Sequence, residues 1–249
     1  MAGLCIIGIG GGGRDGMTRA AYTALSRADV IAGYAAYTDL VAPLFPGKQV
    51  YATGMMQERE RCERALRMAA DGTSVALVCS GDAGVYGMAS LVYEIAAPHD
   101  DFSSVSIEVI AGVTAALGGA ALLGAPLAHD FCVISLSDRL TPQETIERRL
   151  RAAAAGDFCI ALYNPRSAHR SDSLRDACAV LLETLAPSTP CGWARNIGRA
   201  GEESHVCTLA DLAVAALDMS CTAFVGNGTT RVVEIGGIKK LVTPRGYLL

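Results

Sequence analysis

Short apolar runs alternate with amphipathic stretches through most of the chain. "LCII" (residues 4–7), "VIAGY" (30–34), "SVALVCS" (74–80) and "VSIEVIA" (105–111) are brief, rich in branched side chains and closed by Gly or small polar residues. That pattern predicts strands buried on both faces. Helical periodicity fills the gaps. Thr18 caps a predicted helix over 19–28, and further helices are expected over 36–44, 57–70, 86–97 and 115–123, the third ended by Asp71-Gly72. Around "LGAPLAHDF" (123–131) the rhythm pauses at Gly and Pro. It resumes with a strand over 131–137, a helix over 142–155, a strand over 157–163, a helix over 172–185 and a strand over 190–196. "ESHVCTL", "CTAFVGNG" and "RVVEIGG" then read as short strands, antiparallel in part. The alternation predicts an α/β protein of two α/β domains, residues 1–126 and 127–249, with mostly parallel or mixed sheets and a ligand cleft between them.

Composition narrows the classes. Half of the 249 residues are apolar and 18% are charged, as in a globular chain, and the net charge of −4 argues against a nucleic-acid surface. The longest apolar segment, 114–128, is too short and too rich in Gly and Pro to span a bilayer, and no signal peptide is readable, so a cytoplasmic protein is expected. Eighteen of the 21 basic residues are Arg, which fits an anionic ligand or a base-composition bias. Nine cysteines and four histidines show no metal-ligand spacing, so no metal is expected and the thiols read as core residues of a reducing compartment. Arg59, Arg61, Arg64 and Arg67 share one charged helix and are expected in solvent.

"GIGGGG" (8–13) satisfies the dinucleotide fingerprint G-x-G-x-x-G. Its context does not. "RDGM" separates the glycines from the next helix, and the only acid near the right distance, Asp29, precedes the second strand instead of following it. A nicotinamide-dependent oxidoreductase therefore stands as the alternative from another class. Glycine-rich or small-residue ends also follow other strands, in "CSGDAGVYG" (79–87), "AGVTAA" (111–116), "LYNPRS" (162–167) and "VGNGTT" (225–230). Ligands of parallel α/β sheets collect at the carboxyl ends of strands, so five such ends favour a ligand-lined cleft.

"SGDAGVYGMAS" together with "VIAGVTAALGGAALLGAPLAHDF" resembles the tetrapyrrole (class III) S-adenosylmethionine-dependent methyltransferases of cobalamin and sirohaem synthesis. "SLSDRLTP", "ALYNPRS", "ARNIGR" and "DMSCTAFVGNGTTR…TPRGY" resemble the branch that methylates precorrin-3B at ring carbon 17 and contracts the macrocycle; its cobalt counterpart acts on cobalt-factor III. The resemblance runs from Leu4 to Tyr247. It implies the two-domain tetrapyrrole methylase fold, S-adenosyl-L-methionine as cofactor with S-adenosyl-L-homocysteine as product, a tetrapyrrole substrate and a homodimer. By the same resemblance the cofactor meets Ile9, Gly81, Asp82, Ala83, Val85, Thr114, Ala115, Tyr163, Asn164, Arg195, Asn196, Ile197, Gly226 and Asn227. Gly10, Gly11, Gly12 and Arg14 would face the substrate, with Arg139, Arg166, Arg195 and Arg199 available to its acetate and propionate arms. Asp15, His129 and Asp138 are the candidate catalytic groups, with Asp130 beside His129. The sequence departs from the family pattern at Gly11 and Ala83, where proline is usual, and at Gly13-Arg14, where Asp-Pro often follows. Plainer roles compete: Asp82 can cap a helix beginning near Val85, Thr114 can cap the helix over 115–123, and His129-Asp130 can bridge the two domains.

Overall fold

The computed structural model describes residues 3–166 and 171–248. The chain forms two compact units, Met1–Ala115 and Ala116–Leu249.

The first unit is built on five parallel strands, β1 (Gly3–Gly8), β2 (Val30–Tyr34), β3 (Gln49–Thr53), β4 (Ser74–Cys79) and β5 (Ile107–Ile110), in the order β3-β2-β4-β1-β5. Alternation of side chains along the strands divides the core in two. Leu4, Ile6, Val75, Leu77 and Cys79 pack with Cys62, Leu66 and Val92, from α3 (Glu58–Ala70) and α4 (Ala89–Ala96). Ile7, Ile31, Ala76 and Val78 face the other way, against Ala21, Leu25 and Val41 from α1 (Arg19–Arg27) and α2 (Ala35–Val41). Thr18 caps α1 as expected, accepting from the Ala21 N–H at 3.1 Å.

The second unit begins with α5 (Ala115–Leu123) and β6 (Gly124–Ala125). Its larger sheet contains β7 (Phe131–Ser135), β8 (Cys159–Tyr163), β9 (Pro190–Arg195), β10 (Glu203–Thr208) and β11 (Cys221–Val225), in the order β10-β9-β11-β8-β7. Only β7 and β8 pair in parallel; β11 runs antiparallel to both of its neighbours. On one face lie α6 (Gln143–Ala155), α7 (Ser173–Leu181) and α8 (Leu209–Ala213), through Ile146, Leu150, Leu174, Leu181 and Leu212. The other face receives Ala116, Ala120 and Leu123 of α5, packed with Ala161, Ala194, Phe224 and Leu241. A Cβ on Gly119 would stand 2.9 Å from the Phe224 ring, so a glycine lets α5 approach the sheet. This packing places α5 with the second unit, whereas the pause at 123–131 suggested a boundary at 126. A small sheet, β12 (Arg231–Ile235), β13 (Ile238–Val242) and β6, completes the unit.

Candidate functional site

In the first unit the loops following β1, β4 and β5 are nested through their backbones. Gly10 and Gly81 exchange both N–H···O=C bonds at 2.9 Å. A Cβ on Gly8 would lie 2.6 Å from the Gly112 nitrogen and 2.7 Å from the Gly81 carbonyl oxygen, so no side chain fits between these loops. Thr18 ties the first loop to the third by donating its hydroxyl to the Ala111 carbonyl at 3.1 Å.

Asp82 is the polar centre of this arrangement. Its Oδ1 accepts from the Gly84 N–H at 2.8 Å and the Val85 N–H at 3.1 Å, and its Oδ2 accepts from the Gly112 N–H at 2.9 Å. The helix Asp82 was expected to cap starts only at Ala89, so the carboxylate braces a loop and joins it to the end of β5. Thr114 and Ala115 stand beside the same loop: a Cβ on Gly81 would be 3.5 Å from the Thr114 Cα and 3.6 Å from the Ala115 nitrogen.

Other expected contacts separate into backbone and side chain. Ile9 and Ala83 bury their side chains completely in the core, so only their backbones are open to a ligand role. Gly12 is buried, and a Cβ there would press on Leu40. Arg14 and Asp15 lie exposed on a short 3-10 turn, Arg14–Gly16, with the Arg14 guanidinium over the Tyr22 ring. The fingerprint reading fails here in physical terms. Gly10 spends both backbone groups on Gly81, α1 opens only after the 3-10 turn, and the Asp29 carboxylate accepts from the Ser74 N–H at the amino end of the sheet. One expected surface residue is misplaced: Arg61 is buried, not solvated.

In the second unit Tyr163 and Arg195 end β8 and β9, and Asp138, Arg139, Asn164, Arg166, Asn196, Ile197 and Arg199 follow the carboxyl ends of β7, β8 and β9, which share one edge of the sheet. The Tyr163 hydroxyl accepts from the Ala116 N–H at 2.7 Å, which pins the start of α5. Asn164 and Asn196 both adopt left-handed backbone, with φ of +56° and +49°. Asn164 Nδ2 donates to the Ser135 hydroxyl at 2.9 Å, a partner that sequence inspection did not single out.

Arg195 is engaged within its own unit. It donates to Glu203, to the Ala216 carbonyl at 3.0 Å and to the Cys221 sulfur at 3.2 Å, pairs with Asp218 at 3.5 Å, and lies over the Trp193 ring. Burial pushes the Asp218 carboxyl up, but hydrogen bonds from Ser220 and the Arg195 charge outweigh it and hold the group below its ordinary value. This guanidinium braces β9, β10 and the approach to β11.

Gly226, Asn227 and His129 fall elsewhere. Because β11 is antiparallel, its carboxyl end lies at the amino edge of β8 and β9: Val225 is opposite Ile160 and Cys191, and the Gly228 N–H donates to Asp157. The Asn227 side-chain oxygen accepts from the N–H groups of Thr229 and Thr230, closing its own loop. His129 and Asp130 precede β7 at that same amino edge, exposed, with His129 Nδ1 accepting from the Asp130 N–H at 2.8 Å. Among the described residues no group of three or more His, Cys, Asp or Glu side chains is placed to hold a metal ion, and no helix is long and apolar enough to cross a membrane.

Residues 3–213 match the family of Tetrapyrrole (Corrin/Porphyrin) Methylases. The chain is 46% identical to a protein of Salmonella typhimurium named "Probable cobalt-factor III C(17)-methyltransferase", over 99% of this chain and 100% of that protein. It is 41% identical to the "Precorrin-3B C(17)-methyltransferase" of Sinorhizobium sp, over 98% of this chain and 96% of the relative. A crystal structure of the methyltransferase CobJ superposes with a TM-score of 0.90 at 38% identity, covering 98% of this chain and 100% of that one.

Proposed function

This chain belongs to the tetrapyrrole (corrin/porphyrin) methylases, and from that premise we propose that it methylates ring carbon 17 of precorrin-3B and contracts the macrocycle, in cobalamin synthesis. The observation carrying this reading is similarity over the full chain to two relatives whose names specify methylation at that carbon. Methyltransferase membership replaces the dinucleotide alternative. A second reading, the same reaction on cobalt-factor III, is favoured by the higher identity of the Salmonella typhimurium relative.

S-adenosyl-L-methionine, when bound, supplies the methyl group. The donor set fits such a molecule. Asp82 uses three of its roughly four lone-pair directions on backbone N–H groups, leaving acceptor capacity for a hydroxyl or ammonium. The start of α5 beside Thr114-Ala115 suits a carboxylate. Tyr163, Asn164, Asn196 and Ile197 are the contacts assigned to the second unit. Gly226 and Asn227 lie at the other edge of their sheet and are not among them.

Methyl transfer to a ring carbon requires alignment of the reactants for in-line displacement more than it requires a protein nucleophile. Nested glycine loops serve this by bringing backbone close while excluding side chains. Contraction of the ring requires protons to be moved by positioned groups. We assign that task to Asp15 and Asp138 and leave out His129. Arg14, Arg139, Arg166 and Arg199 are assigned to the carboxylate arms. The resemblance further supports a cytoplasmic homodimer. Parallel turnover assays with precorrin-3B and cobalt-factor III separate the two readings: conversion of precorrin-3B alone upholds the first, and conversion of cobalt-factor III alone replaces it with the second.

A further inference from the structure

The first unit buries one arginine that takes no part in the reaction proposed above. Arg61 is 3% exposed, on the face of α3 that also buries Cys62, Ala65, Leu66 and Ala69. Its Nε donates to the Thr53 hydroxyl at 2.7 Å, one terminal nitrogen to the Gly54 carbonyl at 2.8 Å, and the other to the Met88 sulfur at 3.4 Å. The guanidinium also lies over the Tyr34 ring, 5.9 Å from its centroid. Those partners are the last residues of β2 and β3, the turn after β3, and the residue that precedes α4.

Among the described residues no carboxylate pairs with this cation. Arg151 and Arg195, by contrast, each hold two. Burying a charge is costly unless it is paired, and an apolar side chain would fill the position more cheaply. What the guanidinium adds is a fixed fork and a positive field at the carboxyl ends of β2 and β3.

The turn it holds is unusual. Met55 is 64% exposed and Met56 is 66% exposed, with Met56 in left-handed backbone at φ +69°. The turn is further fixed by the Gly54 N–H donating to Gln57 Oε1 at 2.7 Å and the Met56 N–H to Glu58 Oε1 at 3.3 Å. Tyr86, on the loop after β4, is also exposed. Adaptable thioethers on a turn held by a guanidinium that has no ion-pair partner among the described residues suit a ligand with a flat apolar face and an anionic rim.

We propose that Arg61 is a positioning residue for the tetrapyrrole, holding the turn at Met55-Met56 against the macrocycle and drawing a carboxylate arm toward it. This rests on the tetrapyrrole reading above. The test compares wild type, Arg61→Lys, Arg61→Met and the surface variant Met55→Ser/Met56→Ser. Thermal midpoint, S-adenosylhomocysteine affinity, and kcat and KM are measured with precorrin-3B and with cobalt-factor III.

Losing one charge-assisted interaction raises the tetrapyrrole KM of Arg61→Met about tenfold. S-adenosylhomocysteine affinity stays at the wild-type level, and Arg61→Lys recovers part of the loss. The double serine variant, altered only at exposed side chains, raises KM with an unchanged thermal midpoint and carries the test if Arg61→Met does not fold. Unchanged KM in folded Arg61→Met or in the serine variant overturns the inference while leaving the reaction intact. A wild-type protein that binds S-adenosylhomocysteine but turns over neither tetrapyrrole overturns both.

Discussion

Replacing Asp82 by Asn separates a brace from a ligand contact. The carboxylate accepts N–H groups with both oxygens, Gly84 and Val85 on one and Gly112 on the other. An amide offers a single oxygen. Whichever way it turns, its NH2 group faces a backbone N–H, so at least one bond becomes a donor opposed to a donor. Hydrogen bonds to a charged acceptor contribute about 1.5–3 kcal/mol each, and Asp82 is only partly buried, so a net loss of about 2 kcal/mol is expected for Asp82→Asn. For a chain of this length that corresponds to a fall of about 4–8 °C in thermal midpoint. The melt is run without ligand, so a decrease there reports the brace alone; S-adenosylhomocysteine titration of the same variant then reports its consequence for binding. A ligand-free melt identical to wild type would refute the reasoning, because the three N–H groups would not depend on the carboxylate.

Two further perturbations test the packing beneath the site. In Gly112→Ala the new Cβ would meet the Gly8 carbonyl oxygen at 2.5 Å and the Gly81 carbonyl oxygen closer still, so urea unfolding should show a loss at or above the upper end of about 1–3 kcal/mol for overpacking. Wild-type stability would mean that the three loops are not nested. Alkaline pH tests the thiols: burial pushes Cys62 and Cys178 up to about 12 and Cys79 up to about 11, from 9.0. Above pH 9 the unfolded chain therefore sheds protons that the folded chain keeps. Each of these three groups then lowers stability by about 1.4 kcal/mol per pH unit until its folded value is reached, with no effect below pH 8. Urea midpoints between pH 7.5 and 10.5 should fall accordingly, and the fall should be shallower in Cys62→Ala/Cys178→Ala; equal slopes in the two proteins would contradict the assignment.

The alternation of strands and helices was legible because most strands are buried on both faces and most helices carry one apolar stripe. β3 was missed because Gln49, Val50 and Ala52 of this edge strand are exposed, leaving no apolar run to read. β13 was hidden by Lys239 and Lys240; the latter donates from its ammonium to the Leu122 carbonyl, an interaction no local pattern announces. The position of Arg61 is legible in the sequence, since it precedes Ala65 by four residues on the buried face of α3, but its charge masks that periodicity. The candidate site was legible as motifs but not as a layout. "VGNGTT" resembles a ligand loop, yet strand direction decides which edge it occupies, and β11 reverses because β10 returns as a hairpin from β9. The three-way role of Asp82 depended on bringing Gly112 beside it, thirty positions away in the chain.

The most direct measurement is transfer of an isotope-labelled methyl group from S-adenosylmethionine to precorrin-3B and, in parallel, to cobalt-factor III, followed by nuclear magnetic resonance of the product. The account predicts label on ring carbon 17 and a contracted macrocycle with at least one of the two substrates. Label at any other ring carbon, or no transfer to either tetrapyrrole by a folded protein, would contradict it.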